Sequence, residues 1–252
     1  MSRKRIDSLM VEGGLADTRA KAQALLMAGA VTVDGRLATK PGAMVPDGAE
    51  IRLREVLPYV GRGGTKLEHA LDVFHLDVTA LVAVDIGAST GGFTDCLLQR
   101  GATRVYAVDV GRGQIDYRLR TDPRVVVMEK VNARFPLPLP EKVDLATIDV
   151  SFISATRVVP NAISLLKPGG NIVLLLKPQF EARRQEVGKG GIVKDPQLHA
   201  RVLGRFFAWV IDNGLRLKGL TTSPVEGASG NKEFLVLLTS AVSSIQGNPL
   251  TL

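Results

Sequence analysis

The chain has 252 residues, of which 45% are hydrophobic and 23% charged, a composition typical of a folded protein with one large or two unequal domains. Cys96 is its single cysteine, so a disulfide within the chain and a structural zinc site built from cysteines are excluded. The three histidines show no metal-ligand spacing, and we therefore predict no metal site.

No stretch of the sequence predicts contact with a membrane. The longest aliphatic runs, such as Ile172 to Leu176, are far shorter than the roughly 20 residues that span a bilayer. The basic start of the chain runs into Asp7 and Glu12 without an apolar segment, unlike a signal peptide. We therefore expect a cytoplasmic protein.

The net charge of +7 is unevenly distributed along the chain. Residues 1–66 hold 11 Lys and Arg against 7 Asp and Glu, whereas the much longer remainder holds 21 against 18. A basic first quarter favours a polyanionic partner such as a nucleic acid. A charged surface that serves only solubility is an equally good interpretation of the composition.

Residues 1–55 predict a small module of helices and short strands. Arg5 to Glu12 is predicted to be a helix, and Asp17 or Thr18 can cap a second one. Short strands are predicted at Val31 to Val33 and at Ile51 to Arg54. The packing residues predicted for the second helix are Ala20, Ala24, Leu25 and Met27.

The run from Thr18 to Gly35 resembles the alpha-L RNA-binding module found in a small-subunit ribosomal protein and in many RNA-modifying enzymes. In that module a helix and the turn after it present basic side chains to structured RNA. The resemblance implies that Arg5, Arg19 and Lys21 contact RNA. The alternative is a basic subdomain that only caps the larger domain.

A linker over residues 56–65 is predicted from Pro58 and from the stretch Gly61-Arg62-Gly63-Gly64. Its flexibility could be merely mechanical. Lys66 follows at once and begins a second domain predicted over residues 66–242, with a helix from Leu67 to Phe74. Residues 243–252 show no periodic pattern and are predicted to be a tail.

Strands and helical stretches alternate through the second domain, which predicts an α/β fold with a mostly parallel, doubly wound sheet of Rossmann-like type. Such sheets bind their ligands at the carboxyl ends of the strands. Asp85, Asp109, Asp149 and Lys177 all lie at or just after the end of a strand. The predicted strands are Leu81 to Ile86, Arg104 to Val108, Val125 to Met128, Val143 to Ile148 and Asn171 to Leu176.

The first of these strands runs into the glycine-rich turn Asp85-Ile86-Gly87-Ala88-Ser89-Thr90-Gly91-Gly92-Phe93. Ser89 occupies the place of the second glycine in the dinucleotide fingerprint, so a different nucleoside-bearing ligand is predicted. The turn resembles the first motif of class I S-adenosylmethionine (SAM) methyltransferases, which carry a seven-stranded sheet.

This resemblance implies a set of SAM contacts. Asp109 lies 22 residues after Gly87 and would accept hydrogen bonds from the ribose hydroxyls, and Glu129 or Asn132 would contact the adenine. The glycines of the turn would let the backbone approach SAM closely, and its acid would orient the amino-acid end. The contacts implied within the turn are Asp85, Gly87, Ser89, Gly91, Gly92 and Phe93.

Over about residues 1–240 the chain resembles the TlyA (haemolysin A-like) family of ribosomal RNA 2'-O-methyltransferases. In that family an RNA-binding module precedes an FtsJ-like methyltransferase domain, and the catalytic set is Lys-Asp-Lys-Glu. The resemblance assigns this set to Lys66, Asp149, Lys177 and Glu233. The matching stretches are Gly61 to Leu67, Asp85 to Phe93, Ile148 to Ile153, Leu176 to Glu181 and Gly230 to Phe234.

The chemistry explains why such residues are needed. A ribose 2'-hydroxyl is a poor nucleophile, so a base must take its proton as the oxygen attacks the methyl group. Lys177 is the base that we predict, and desolvation beside the ammonium of Lys66 would favour its neutral form. Asp149 and Glu233 would orient the lysines, although their charges oppose this effect. The alternative makes all four residues structural ion pairs.

The loop from Arg183 to Lys194 carries basic residues among glycines. It could close over RNA phosphates, or its charges could simply be solvated. The RNA contacts predicted outside the first module are Arg62, Arg183, Arg184 and Lys189.

Three functions follow from these patterns. The first is a SAM-dependent methyltransferase that acts on a ribose 2'-hydroxyl, for which the family implies cytidine of ribosomal RNA within ribosomal subunits. The second is a SAM-dependent methyltransferase with another acceptor, although the Asn/Asp-Pro-Pro-aromatic motif of base-amine methylation does not follow the fourth strand. The third is a cytolysin, as the haemolysin name suggests, which the lack of a strongly amphipathic segment disfavours.

Overall fold

The computed structural model describes residues 2–27, 29–53, 58–227 and 230–240. The chain forms two compact units, Met1–Pro58 and Tyr59–Leu252, and each contains its own hydrophobic core. The predicted tail lies outside the described residues, as do residues 54–57.

The first unit contains two helices and five short strands in its described part. They are β1 (Arg3–Arg5), α1 (Ile6–Glu12), α2 (Arg19–Met27), β2 (Val31–Val33), β3 (Arg36–Leu37), β4 (Met44–Pro46) and β5 (Ile51–Leu53). β1 pairs with β4, and β2 lies between β3 and β5. All three pairings are antiparallel.

Helix α2 begins with a cap at Thr18 and buries one of its faces. Thr18 Oγ1 accepts a hydrogen bond from the backbone N–H of Lys21 at 3.2 Å, and Ala22 and Leu26 then enter the core, four residues apart on one helix face. The apolar residues of α2 lie on most of its faces, so their spacing alone did not identify the face that packs into the core. The predicted packing residues are therefore mostly wrong, since Ala20, Ala24 and Met27 are exposed and Leu25 is half-buried.

The second unit is built on a seven-stranded sheet. Its strands are β6 (Val82–Ile86), β7 (Arg104–Val108), β8 (Val125–Met128), β9 (Val143–Ile148), β10 (Leu166–Leu176), β11 (Leu215–Thr222) and β12 (Phe234–Ser240). The strand order is β11-β12-β10-β9-β6-β7-β8. β12 runs antiparallel to both of its neighbours, and the other pairings are parallel, which confirms the predicted sheet.

Helices cover both faces of this sheet because alternate strand residues point to opposite sides. Ala83 of β6 packs into the cluster that holds α3 and α4, and Val84 and Ile86 pack into the one that holds α6 and α8. The helices are α3 (Arg62–Val73), α4 (Gly92–Gln99), α5 (Tyr117–Arg120), α6 (Val159–Leu165), α7 (Pro178–Glu181) and α8 (Pro196–Asp212). No helix in the described part of the chain is long and apolar enough to cross a membrane.

Helix α3 begins at Arg62, five residues before the predicted start, so the glycines of the predicted linker form its first turn. A Cβ atom on Gly64 would lie 2.2 Å from Cγ of Tyr59, and one on Gly92 would lie 2.9 Å from the backbone nitrogen of Gly64. These glycines are needed because α3 packs closely against Tyr59 and the start of α4. The prediction of a flexible linker is therefore wrong at residues 62–65.

Candidate active site

The sheet topology brings four segments that are far apart in the sequence to the same end of the sheet, where the strands β6, β9 and β10 finish and β12 begins. β6 and β9 are parallel neighbours that pair Ile86 with Ile148, so the residues after each strand leave the sheet side by side. β10 and β12 are antiparallel and pair Leu176 with Phe234, which sets Lys177 opposite Glu233. The carboxyl end of β10 thus lies beside the amino end of β12.

A cavity of about 500 Å³ opens at this edge of the sheet, and we call it the charged cavity. Lys66 reaches it from the first turns of α3, while Gly87, Asp149, Lys177 and Glu233 reach it from the strand ends. The structure therefore brings together all four charged residues that the family resemblance singled out.

These four residues form two ion pairs. Lys66 Nζ lies 2.5 Å from Glu233 Oε2, and Lys177 Nζ lies 2.6 Å from Asp149 Oδ1. Lys177 also donates a hydrogen bond to Ser151 Oγ at 3.0 Å. Two positive and two negative charges make the cluster neutral. Each lysine is therefore next to a carboxylate, whose negative charge opposes the repulsion from the other lysine.

The two pairs differ in their exposure to solvent. The Lys66 and Lys177 side chains are almost equally exposed, at 10% and 11%. The carboxylates differ, since Glu233 is 3% exposed and Asp149 23%. A charge taken out of water is stabilised only by a close partner and hydrogen bonds. Removal of one partner should therefore destabilise the fold more in the Lys66–Glu233 pair than in the Lys177–Asp149 pair.

The glycine-rich turn after β6 is shaped by its neighbours. Gly87 has φ of +87°, and a Cβ there would lie 2.3 Å from the carbonyl oxygen of Asp149. Gly91 has φ of +97°, but its missing side chain makes room for Leu119 rather than for a ligand. Gly91 lines neither the charged cavity nor the one beside it, and its contact with SAM stays a prediction.

A second cavity of about 500 Å³ adjoins the charged cavity and shares Gly87, Ser89 and Asp149 with it. We call it the Asp109 cavity. The carboxylate of Asp109 accepts hydrogen bonds from the backbone N–H groups of Ser89, at 2.8 Å, and Gly111, at 2.7 Å. Each carboxylate oxygen keeps a second lone pair that can accept a hydrogen bond.

The other predicted contacts with SAM are placed differently. Asn132 lines the Asp109 cavity, and Gly92 and Phe93 line the charged cavity. The carboxylate of Glu129 accepts hydrogen bonds from Arg120 and from the backbone N–H of Gly113, and Arg120 lowers its pKa. Glu129 lines only a small void next to Asp109, so the structure favours Asn132 of the two alternatives.

Asp85 is fully buried beneath the glycine-rich turn and lines neither cavity. Its carboxyl accepts hydrogen bonds from the hydroxyls of Thr94, at 2.7 Å, and Thr147, at 3.0 Å. This side chain thereby ties α4 to β9, and its contact with SAM stays a prediction. Burial raises the pKa of Asp85 to about 6, despite the two hydroxyl hydrogen bonds.

This buried carboxyl predicts a pH-dependent contribution to stability. Between pH 3.8 and about 6 the folded protein holds a proton on Asp85 that the unfolded chain has lost, so the free energy of unfolding falls as pH rises. Asp85→Asn stays neutral and should gain roughly 2 to 3 kcal/mol relative to wild type from about pH 4 to about pH 7. Urea unfolding measures the difference, with exposed Asp212→Asn as control. A difference that is constant with pH would contradict the prediction.

The predicted RNA contacts of the first unit surround a buried acid. Asp7 is fully buried, and its carboxylate lies 2.8 Å from Arg5 Nη2 and 3.0 Å from Arg19 Nε. Arg5 holds the pKa of Asp7 well below its usual range, with help from Gln23 and Arg19. Both arginine side chains remain about half exposed, so Asp7 orients them without removing them from solvent. Lys21 pairs with Asp17 at 2.6 Å in an exposed helical pair.

Two of the RNA contacts predicted for the second unit, Arg62 and Arg184, line the charged cavity or a groove beside it. Arg62 lines the cavity, and Arg183 and Arg184 are exposed. Arg184 also lines a neighbouring groove with Arg134 and Arg157, which we call the arginine groove. The side chain of Lys189 lies outside the described part of the structure.

Sequence reasoning missed several residues of the charged cavity. Asn231 is buried, accepts a hydrogen bond from the backbone N–H of Val193 at 2.9 Å and donates one to the carbonyl of Gly191 at 3.0 Å. It thereby holds the glycine loop against the cavity. Phe152 is 92% exposed, and its ring centre lies 5.1 Å from that of Phe180. These residues lie two or three positions from predicted catalytic residues in the sequence, and this closeness was the signal that could have identified them.

Comparison with protein families agrees with this geometry. An FtsJ-like methyltransferase model matches residues 59–240, and an S4 domain model matches residues 4–51. The chain belongs to the FtsJ-like methyltransferase family. The family resemblance inferred from the sequence is confirmed, and so is the enzyme class of methyltransferase.

Individual relatives of this FtsJ-like protein align with nearly its whole length. The Bacillus subtilis protein YqxC is 48% identical over 94% of this chain and 85% of its own length. The Mycobacterium tuberculosis 16S/23S rRNA (cytidine-2'-O)-methyltransferase TlyA is 42% identical over 94% of this chain and 90% of its own. A solved Streptococcus thermophilus structure, whose name contains the word hemolysin, is 46% identical with a TM-score of 0.73, covering 96% of this chain and 90% of that one.

Proposed function

We propose that this FtsJ-like methyltransferase transfers a methyl group from SAM to the 2'-hydroxyl of a cytidine in ribosomal RNA. The observation that carries the proposal is the neutral cluster Lys66–Glu233 and Lys177–Asp149, which lines a cavity directly adjoining the Asp109 cavity. The relative named as a cytidine-2'-O-methyltransferase supports the choice of acceptor.

The Asp109 cavity fits the nucleoside part of SAM. A nucleoside needs acceptors for its ribose hydroxyls and an apolar slot for its base, and this cavity combines Asp109 with the apolar side chains of Val131 and Ile153. Gly87 and Ser89 would hold the part of SAM that extends toward the charged cavity. When bound, SAM supplies a methyl group on a sulfonium, and the electron pair of the broken carbon–sulfur bond stays on sulfur.

Lys177 is the residue placed to accept the proton. In its neutral form Nζ takes the proton of the 2'-hydroxyl while that oxygen forms its bond to the methyl carbon. The contacts with Asp149, at 2.6 Å, and Ser151, at 3.0 Å, hold Nζ in position before and after the transfer. Asp149 then stabilises the ammonium that results.

The Lys66–Glu233 pair plays a different part in this mechanism. Its near-complete burial places a fixed dipole at the lining of the charged cavity. A preorganised dipole does not need to rearrange as charge moves between the reacting atoms, and it therefore costs no reorganisation energy during transfer. We assign the pair to positioning the acceptor hydroxyl and the two partners of the proton transfer.

The first unit would supply affinity for RNA rather than chemistry. The S4 match covers α1, α2 and the strands after them, and Arg5, Arg19 and Lys21 are exposed or half exposed there. Side chains that neutralise phosphates release counterions, so binding through this unit should weaken steeply as salt is added. Asp7 would keep Arg5 and Arg19 in place for that contact.

Asp109→Ala is expected to weaken the binding of SAM about 10- to 100-fold. A hydrogen bond to a charged group contributes about 1.5 to 3 kcal/mol, and about 1.4 kcal/mol corresponds to tenfold in affinity. Asp109→Asn keeps one acceptor oxygen and should lose less. Titration calorimetry of the three proteins provides the measurement, and unchanged affinity in the alanine variant would disprove the contact.

The proposed function is tested by transfer of labelled methyl groups from SAM to isolated small and large ribosomal subunits. Digestion of the RNA to nucleosides, followed by mass spectrometry, separates a ribose-methylated cytidine from a base-methylated one. We expect label in 2'-O-methylcytidine at a defined position. Label in a methylated base or in a ribosomal protein would reject the ribose assignment in favour of another acceptor.

A further inference from the structure

The arginine groove is lined by three arginines that come from separate segments of the chain. Arg134 lies in the loop between β8 and β9, Arg157 ends a short 3₁₀ turn after β9, and Arg184 follows α7. The groove has a volume of about 1000 Å³, and none of the described residues that line it is acidic. It therefore carries three positive charges, unlike the neutral cluster in the charged cavity.

The guanidinium groups of these three arginines form no ion pair or hydrogen bond with any residue that the structure describes. All three residues are exposed, so a ligand in the groove can reach them. Elsewhere in the second unit arginines are paired, such as Arg100 with Asp72 and Arg205 with Glu186, both at 2.7 Å. Like charges around one groove repel each other, and an anion bound among them would remove this repulsion.

The backbone beside two of these arginines is anchored to neighbouring elements. Next to Arg134, the carbonyl of Ala133 accepts a hydrogen bond from Asn161 Nδ2 of α6 at 2.9 Å. In the turn that ends at Arg157, the backbone N–H of Ala155 donates to the carboxylate of Glu181 at 2.6 Å. The points from which these side chains extend are thus fixed before a ligand binds, which lowers the entropy that binding costs.

The position of the groove favours RNA phosphates as the anion. Phe152 and Phe180 line both the groove and the charged cavity, so a strand that leaves the charged cavity can continue into the groove. Each nucleotide of such a strand carries a phosphate, whose oxygens match the two parallel donors of an arginine. An acidic protein segment also offers anionic oxygens, but it is not joined covalently to the nucleotide that reacts at Lys177.

We propose that the arginine groove binds the phosphates of the RNA strand on one side of the acceptor nucleotide, with Arg134 and Arg157 as contacts in addition to Arg184. This inference rests on the proposed function. Phosphate contacts set the position of a nucleic acid without reading its sequence. Binding energy from groups that do not react can serve to place the group that does, here the 2'-hydroxyl at Lys177.

Arg157→Gln should weaken the binding of ribosomal subunits about tenfold, the contribution of one hydrogen bond to a charged group. The slope of log affinity against log salt should become shallower by about one, because one phosphate contact is lost. Arg157→Lys keeps the charge and should keep the slope. Equilibrium binding of the full-length proteins provides both measurements. Arg216→Gln is the matched control, because Arg216 is exposed and lies on β11 at the opposite end of the sheet.

Subunits with uncharged methylphosphonate linkages at two positions beside the mapped cytidine, on its 5' or its 3' side, identify the partner of Arg157. Wild type should lose affinity for one of these two substrates. Arg157→Gln should lose little more on that substrate, because its contact with the phosphate is already absent. Losses that simply add on both substrates would overturn the inference in favour of an acidic protein segment.

Two further results separate this inference from the proposed function. SAM affinity and the thermal unfolding midpoint should be unchanged in Arg157→Gln, since Arg157 is exposed and does not line the Asp109 cavity. An Arg157→Gln variant with the affinity and the salt slope of wild type would overturn this inference alone. No methyl transfer to either subunit by wild type would overturn the proposed function and, with it, this inference.

Discussion

Replacement of Lys177 by alanine is expected to lower the rate of methyl transfer by at least about 10²-fold, the usual contribution of a positioned proton acceptor. SAM binding and folding should be close to those of wild type, because the Asp149 carboxylate that loses its partner is 23% exposed and remains in contact with water. Single-turnover methylation of saturating ribosomal subunits measures the chemical step directly.

Lys177→Arg separates proton transfer from charge. Arginine keeps the positive charge and can still contact Asp149, but it does not give up its proton in a protein and so cannot act as the base. We expect this variant to be as inactive as Lys177→Ala. Lys167→Arg is the control, since Lys167 also pairs with an aspartate, Asp144 at 2.9 Å, on the surface.

The outcome of these variants distinguishes two roles for Lys177. An arginine variant with a near-wild-type rate would mean that Lys177 only positions the acceptor and that another group takes the proton. If both variants lose activity and SAM affinity together, the lysine contributes to cofactor binding instead. Only loss of the chemical step with SAM affinity preserved supports the base.

Glu233→Gln or Lys66→Met is expected to lower the free energy of unfolding by about 3 to 5 kcal/mol, because either change leaves a buried charge without its partner. The side chains of Lys66 and Glu233 are 10% and 3% exposed, so water can replace the lost contact only in part. The double variant Lys66→Met/Glu233→Leu should recover most of this loss, since an apolar pair of similar volume needs no charge compensation. Urea unfolding of wild type, the double variant and its two component variants, Lys66→Met and Glu233→Leu, gives the coupling energy.

Activity then shows whether the pair serves catalysis or only structure. We expect the double variant to be folded and to lose at least about 10²-fold in transfer rate, because the preorganised dipole is gone. Lys167→Met is the control for stability, and it should change unfolding by less than about 1 kcal/mol as an exposed pair. A stable and fully active double variant would mean that the pair is structural only.

Much of the second unit could be predicted from local sequence. The predicted strands Arg104 to Val108, Val125 to Met128 and Val143 to Ile148 match β7, β8 and β9 at both ends. Each is a short apolar run bounded by polar residues or turn formers, and such a run is buried on both faces of a parallel sheet. Since carboxyl ends of parallel strands share one edge, the grouping of Asp109, Asp149 and Lys177 followed from the same pattern.

Other features depended on contacts between residues far apart in the chain. The helical start of α3 depends on Tyr59 and α4 packing against Gly64, and the glycine pattern alone is equally typical of a loop. Asp85 and Asp109 both belong to strand ends, yet Asp85 points at Thr94 and Thr147 while Asp109 lines a cavity. The alternation of side chains along a strand does not show on which face of the sheet a carboxylate meets a hydroxyl group.

The sequence by itself therefore determined the fold class, because that depends on residue types at short spacings. It determined the family, and the four charged residues assigned to its catalytic set, through motifs that resemble those of a known family. Only the tertiary structure decided which lysine meets which carboxylate, since the antiparallel pairing of β10 with β12 and the position of α3 place Glu233 against Lys66 across 167 residues. Burial and pairing depend on all the elements that surround a side chain, and a linear pattern contains only its neighbours in the chain.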